Sequence, residues 1–455
     1  MLKRQSFIFF SRSLFVAGIL LLLVSGSALA DEYTITDLGT LGGIRSGAGD
    51  LNDQGQIVGL STVYSGAQHG FFWDGDNMND LGTPEGYLVS GATAVNAAGQ
   101  IVGYTNGEYQ SQYAYLWESG NWSYLGTLAG LDYSVASDIN NSQQIIGYSF
   151  MLGSEGGFLG WIWEDGNLSG LGTLGGDNSS ANAINELGEI VGYAQIYDPE
   201  ASINHACLWT DGDIIDLGVL PGEVTSAAND INENGQICGS SSHQQPVYPF
   251  LTSTLPCLWG EEGVIEINLL AGYVKGVATG INNNGQVVGW MSTSNSGGNA
   301  RAFIWENGFM FDLNVLVSDG GGWTLETASA INDAGQIVGS GEAPNGQTHG
   351  YLLTPIITGA PEVEDNIPSA FLISQNYPNP FNASTTIRYE LPEQGRVKLD
   401  IYDAIGRKLT TLEDGLQPVG SHQVLWKADD AASGVYFYKL QMGGHSDTKK
   451  MLLVK

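Results

Sequence analysis

The chain has 455 residues with 48 Asp+Glu against 16 Lys+Arg, a formal net charge of −32, yet only 14% of its residues are charged and 10% are aromatic. A sparsely charged, aromatic-rich chain is not a disordered acidic tail, its length allows two or three domains with full cores, and its charge excludes nucleic acid, which demands a basic surface. The acidity is concentrated: residues 31–355 hold 36 acidic residues against only Arg45, Lys275 and Arg301, whereas residues 356–455 hold 12 acidic and 10 basic ones. That shift predicts a domain boundary.

Residues 1–30 read as a signal peptide. Lys3, Arg4 and Arg12 form a basic start, Leu14 to Val24 is an apolar run, and Ala28-Leu29-Ala30 is a small-x-small cleavage site. The apolar run is short for a span of about 20 residues. No later stretch is apolar enough to cross a membrane, so the chain is not expected to be an integral membrane protein.

A phrase of the form Ile-Asn-x-x-Gly-Gln-Ile-Val-Gly then recurs. Its Asn falls at 52, 96, 140, 185, 232, 282 and 332, with spacings of 44, 44, 45, 47, 50 and 50 residues. This period points to a propeller or a solenoid. Each copy predicts four short strands. The first ends at the Asn and carries an Ala four residues earlier (Ala48, Ala92, Ala136, Ala181, Ala228, Ala278, Ala328), as the crowded inner strand of a closed ring would. The second ends in Gly at 59, 103, 147, 192, 239, 289 and 339. Gly weakens a strand, so seven in register imply close approach by a neighbour. The Asn-x-x-Gly between them is hairpin chemistry, with Gly in the left-handed position. Copy three has Gln143 there, which predicts a positive φ or a remodelled turn.

The third strand is aromatic, as in Phe71-Phe72-Trp73, Tyr115-Leu116-Trp117 and Phe303-Ile304-Trp305. Trp163, Trp209 and Trp259 continue the Trp column and Leu353 ends it. Apolar residues on both faces predict a sheet packed between sheets, and so a core role rather than sugar stacking for these rings. Asp-Gly and Asn-Gly turns lead to the fourth strand. The last copy stops at His349-Gly350-Tyr351-Leu352-Leu353 without one, while Tyr33-Thr34-Ile35-Thr36-Asp37-Leu38-Gly39 is a spare one. Pairing the two gives an all-β, seven-bladed propeller over residues 31–355; the alternative is an open solenoid with exposed edges. Cys207, Cys238 and Cys257 are too few for a disulfide scaffold, and read as small buried hydrophobes.

The repeats resemble the extracellular HAF repeat family in His205-Ala206-Cys207-Leu208-Trp209, Asp37-Leu38-Gly39-Thr40-Leu41-Gly42-Gly43 and Leu171-Gly172-Thr173-Leu174-Gly175-Gly176. Glu266-Ile267-Asn268-Leu269-Leu270 departs from the pattern. The resemblance implies an extracellular setting and no particular activity.

After a linker at 356–370, residues 371–455 alternate as a small all-β sandwich should, for instance in Thr386–Leu391, Val397–Tyr402 and Val435–Leu440. This segment resembles the type A sorting domain of the type IX secretion system. The resemblance rests on Asn376, Tyr377, Pro378, Asn379, Pro380, Phe381 and Asn382, then Trp426, Gly434, Val435, Tyr436, Lys449 and Lys450. It implies an Ig-like sandwich, export by Sec and then by the type IX translocon and its sorting machinery. It further implies release or surface attachment in a Gram-negative bacterium of the Bacteroidota type.

No nucleophile elbow, phosphate loop, His-Glu-x-x-His or Cys-x-x-Cys appears, so no catalytic or cofactor-binding residue is assigned. His69, His205 and His349 share one repeat register and read as structural; His243 has no evident partner. Asp74-Gly75-Asp76-Asn77 offers oxygen ligands to calcium but lacks a full calcium loop, so a hairpin turn is the better reading and no metal site is assigned. Loops between strands two and three share a face with the links between blades. That face carries the longest insertion, Ser240 to Thr254 with Tyr248, and is where binding residues should lie. The expected function is an extracellular binding protein for a neutral glycan or a protein. A polysaccharide hydrolase or lyase and a structural surface-layer protein are the alternatives.

Overall fold

The computed structural model describes residues 33–453 except 108–111, 152–156, 199–200, 244–252, 261–262, 297, 318–319, 357–370, 374–375, 377–383, 393, 418–419 and 429–430. The predicted signal peptide, the linker beyond Ile356, Tyr377–Asn382 of the sorting motif and most of the Ser240–Thr254 insertion therefore lie outside the described residues. The chain divides into two compact units, Met1–Ile356 and Ile357–Lys455, and both are built almost wholly of strands.

The first unit is a succession of four-stranded antiparallel sheets. The second of them shows the pattern: Tyr87–Val95, Ile101–Gly107, Gln112–Glu118 and Asn121–Tyr124 pair in chain order. Five further sheets repeat it, beginning at Gly42, Tyr133, Gly175, Thr225 and Lys275. The seventh takes three strands, Thr324–Ile331, Ile337–Glu342 and Thr348–Pro355, from the last repeat and its fourth, Tyr33–Gly39, from the chain start. Thr348–Pro355 thus receives the spare strand along its free edge, as the sequence predicts.

The repeated small residues have a common physical cause. Each first strand carries a bulge, with the register shifting between Ala92 and Ala94 in the second sheet and at the matching place in the other six. A carbonyl just before the bulge closes on the second strand. A Cβ on Gly103 would strike the Gly91 carbonyl and come within 3.0 Å of the Tyr115 hydroxyl; the other six glycines meet the same obstruction. The residue facing each glycine from the third strand is Phe71, Tyr115, Trp161, Cys207, Cys257, Phe303 or Tyr351, all fully buried. In five of the seven sheets the residue opposite the missing Cβ is an aromatic ring. Cys207, Cys238 and Cys257 are free and buried, and burial pushes their thiols well above the usual range.

The Trp column is not uniform. Trp73, Trp209 and Trp259 are buried, but Trp117, Trp163 and Trp305 are half-buried. Gln143 takes φ 61° and keeps the hairpin, its N–H donating to the Asn140 carbonyl at 3.1 Å, just as Gly99 donates to Asn96. One element has no counterpart in the repeat pattern: a four-residue helix, Leu313–Leu316, capped by Asp312, which accepts from the Asn314 N–H at 2.9 Å.

The second unit holds a three-stranded sheet (Leu372–Ile373, Ser384–Leu391, Gly420–Lys427) and a four-stranded one ordered Lys408–Gln417, Gly395–Asp403, Gly434–Met442, His445–Leu453. The two share one core, including Tyr389, Leu399, Ile401, Trp426, Tyr438 and Met451.

Candidate functional site

The repeat Asn does two jobs. Its Oδ1 accepts backbone N–H groups of its own turn, as Asn52 does from Gln54 and Gln56 at 3.1 and 3.0 Å. Its Nδ2 donates to the carbonyl of the Asn in the next sheet. These bonds run from Asn52 to 96, 140, 185, 232, 282 and 332, and back from Asn332 to Asn52 at 3.1 Å. The circle is closed. The following residue forms a second ring: Asn141, Glu186, Glu233, Asn283, Asp333 and Asp53 each accept a backbone N–H from the preceding sheet. Only Ala97, which has no acceptor, interrupts it. These residues line a cavity of about 220 Å³.

Two residues before the repeat Asn stand Asp50, Asp138 and Asp230, in the first, third and fifth sheets. Each bridges to the next sheet by accepting a backbone N–H, from Val95 (3.0 Å), Ile184 (2.9 Å) and Ile281 (2.8 Å). All three are half-buried. Burial raises Asp50 to about 8, Asp138 to about 6 and Asp230 to about 7. Repulsion among the three adds to the rise in Asp50 and Asp230, and backbone donors oppose it. Among the described residues no three His, Cys, Asp or Glu side chains are placed to hold one metal ion.

The histidines form clasps. His69 Nδ1 lies 2.9 Å from the Asp80 carboxylate, His205 3.0 Å from Asp216 and His349 2.8 Å from Asp37. Each Asp also accepts from the N–H of the Gly two residues on, Gly82, Gly218 or Gly39. The carbonyl of that Gly accepts from a Ser hydroxyl of the next sheet, Ser90, Ser226 or Ser46. The Ser in turn accepts from the residue after the His, at 2.9, 2.8 and 2.9 Å. The His, Asp-Leu-Gly and Ser-x-Ala phrases are thus one hydrogen-bonded unit across two sheets, in which the Ser hydroxyls bond to backbone groups. His243, which shows no partner in the sequence, has one: its Nδ1 donates to the Gly222 carbonyl at 3.1 Å. Asp74 accepts from Asp76 N, Asn77 N and Asn79 Nδ2 at 3.1, 2.9 and 2.9 Å. Its oxygens serve the hairpin, and these bonds hold its carboxyl below the usual range.

The opposite, loop-bearing face carries an arrangement that sequence reasoning missed. Aromatic rings follow one another across the second and third sheets: Tyr124 to Tyr87 (5.6 Å between centroids), Tyr87 to Tyr113 (6.1 Å), Tyr113 to Tyr133 (6.4 Å) and Tyr133 to Phe150 (5.4 Å). Tyr148 and Phe158 both pack on Phe150, at 6.0 and 5.9 Å. None is fully buried; Tyr124 and Phe158 at the two ends are 48% and 41% exposed. Burial raises the Tyr148 phenol, and the neighbouring phenols of Tyr193 and Tyr104 raise it further. The repeat register hides this row, because its members occupy unlike positions in their repeats. A local count would have found it: eight of the 20 tyrosines fall between residues 87 and 148.

In the second unit, Asn376 is buried, its N–H donating to the Tyr438 hydroxyl at 2.7 Å and its Nδ2 to Thr385 Oγ1 at 2.9 Å. Gly434, Val435 and Tyr436 open one strand. Tyr436 donates to the Ala432 carbonyl at 2.6 Å and packs edge-on to Trp426. Lys449 and Lys450 lie on the next strand, opposite Tyr438 and Phe437. Among the described residues no helix is long and apolar enough to cross a membrane.

No curated protein matches the sequence. Among solved structures, the chain is similar to a fungal alcohol oxidase of the AA5 family in complex with copper, at 10% identity and a TM-score of 0.45, over 94% of this chain and 100% of that one. It is also similar to PorZ, a surface component of the type IX secretion system of Porphyromonas gingivalis, at 14% identity and 0.38, over 90% and 60%. A third is the β-propeller domain of the Trilobed protease of Pyrococcus furiosus, at 9% identity and 0.40, over 71% and 94%. Residues 375–455 match the model of the secretion system C-terminal sorting domain. The chain therefore ends in a type IX sorting tail that engages the secretion machinery, and the protein is a secreted or cell-surface protein of a Bacteroidetes-type Gram-negative bacterium.

Proposed function

We propose that the first unit is a seven-bladed β-propeller of HAF-type repeats, that residues 371–455 form an Ig-like sorting module, and that the exported protein binds an extracellular ligand on its loop-bearing face. The observation that carries this reading is the division of labour between the two faces. The repeated Asn and Ser side chains make hydrogen bonds to neighbouring sheets and the His–Asp pairs tie strands within a sheet, which suits a rigid frame. On the other face the second and third sheets carry a row of aromatic rings that ends in the exposed Tyr124 and Phe158. A rigid scaffold with a variable face is the usual arrangement of a binding domain.

Two measurements test it. Removing residues 375–455 should leave the protein in the periplasm of a host that secretes the full chain; normal arrival at the surface would overturn the export reading. The mature chain should retain hits on a mixed glycan and protein array without converting them. Product formation from a bound hit would replace the reading by that of a hydrolase or lyase.

A further inference from the structure

We propose that the aromatic row of the second and third sheets is the ligand site and that its ligand is a neutral glycan chain, an inference that rests on the binding-domain reading above. Five of the seven rings are tyrosines. Each offers an apolar, electron-rich face with a hydroxyl at one edge. A pyranose divides its surface in the same way, with C–H bonds on one face and hydroxyls around the rim. An aliphatic partner would be met as well by Leu, Ile or Met, and the row contains none.

Charge narrows the choice. Residues 31–355 carry 36 acidic residues against three basic ones, so an anionic polymer would approach a repelling surface with almost no cation to meet it. A neutral chain meets no such barrier. The extent of the row matters too. Successive centroid separations of 5.4–6.4 Å link Tyr124 to Phe150, with Tyr148 and Phe158 beyond. That is a track for several sugar units rather than a pocket for one. A secreted or cell-surface protein also works where such chains are found.

The test uses the mature full-length chain and titration calorimetry with cellohexaose, xylohexaose, laminarihexaose and mannohexaose, with heparin and polygalacturonate as polyanions. At least one neutral hexasaccharide should bind and the polyanions should not. Tyr113→Ala and Tyr133→Ala should each weaken binding about tenfold or more, as loss of one stacked ring does. Tyr64→Ala and Tyr197→Ala, at exposed tyrosines outside the row, should leave it unchanged. Tyr113 and Tyr133 are half-buried, so tyrosine nitration of the unmutated protein is the second readout. The bound hexasaccharide should protect Tyr87, Tyr113, Tyr124, Tyr133 and Tyr148. Glycan binding that neither variant weakens, with no protection, would overturn the site and leave the binding-domain reading standing. Binding of the polyanions, or a protein partner or self-association that depends on the same tyrosines with no glycan bound, would overturn the ligand class. Failure to bind anything on the array or in the calorimeter would overturn both readings.

Discussion

Gly103 illustrates how a single missing atom organises each repeat. Because the Gly91 carbonyl occupies the place of its Cβ, Gly103→Ala must move backbone rather than a flexible side chain. The expected cost is about 1–3 kcal/mol in urea unfolding, whereas alanine at an exposed turn position such as Ala97 is already accepted. The tryptophans should separate in the same assay. Trp209→Ala, at a buried position, should cost about 3–5 kcal/mol, and Trp117→Ala, half-buried, measurably less. Much of this was legible in the sequence. Seven glycines in register implied close contact, and Gln143 in place of Gly implied the positive φ it adopts. The bulge itself was not legible, because it follows from strand pairing rather than from residue type. The aromatic row was hidden for a related reason: its rings meet across sheets, between positions that no repeat alignment places together.

At the scale of elements, the strand Tyr33–Gly39 is the informative piece. It is held by its pairing with Thr348–Pro355, by the Asp37–His349 clasp and by Ser46, whose hydroxyl donates to the Gly39 carbonyl. Deleting residues 31–39 should expose the edge of Thr348–Pro355 and promote association between molecules. Sedimentation would read this as oligomers, and a synthetic peptide of residues 31–41 should restore the monomer. Unchanged sedimentation would show that the strand is dispensable. The spare strand could be read from the sequence because the repeats are regular enough to reveal one that is out of place. The helix Leu313–Leu316 could not, since four residues carry too little periodicity to register.

For the whole molecule, the three aspartates that bridge neighbouring sheets set a pH dependence. Their folded-state pKa values, about 8, 6 and 7, lie above the ordinary carboxylate value of 3.8. The folded chain therefore binds more protons than the unfolded chain between about pH 4 and pH 8, and the stability these groups contribute falls as pH rises through that window. The melting temperature should be higher at pH 5 than at pH 8. Asp50→Asn keeps an acceptor for the Val95 N–H while removing the charge, and should narrow the difference by raising the pH 8 value. A variant with the same slope as the parent would exclude Asp50 as a source. The general acidity of residues 31–355 was plain from composition, but composition alone does not separate solvated carboxylates from the three that bridge neighbouring sheets.

The closing strand has a consequence for the order of events in the life of the chain. The first strand of the circle is made some 310 residues before the partner it pairs with, so the earliest segment must wait, unpaired, until nearly the whole unit has been synthesised. No shortened product ending before Thr348 can shut the circle. Completion of the pairing therefore reports that the chain has been made at least as far as Pro355, and such a distant pairing is expected to be among the slow steps of its folding.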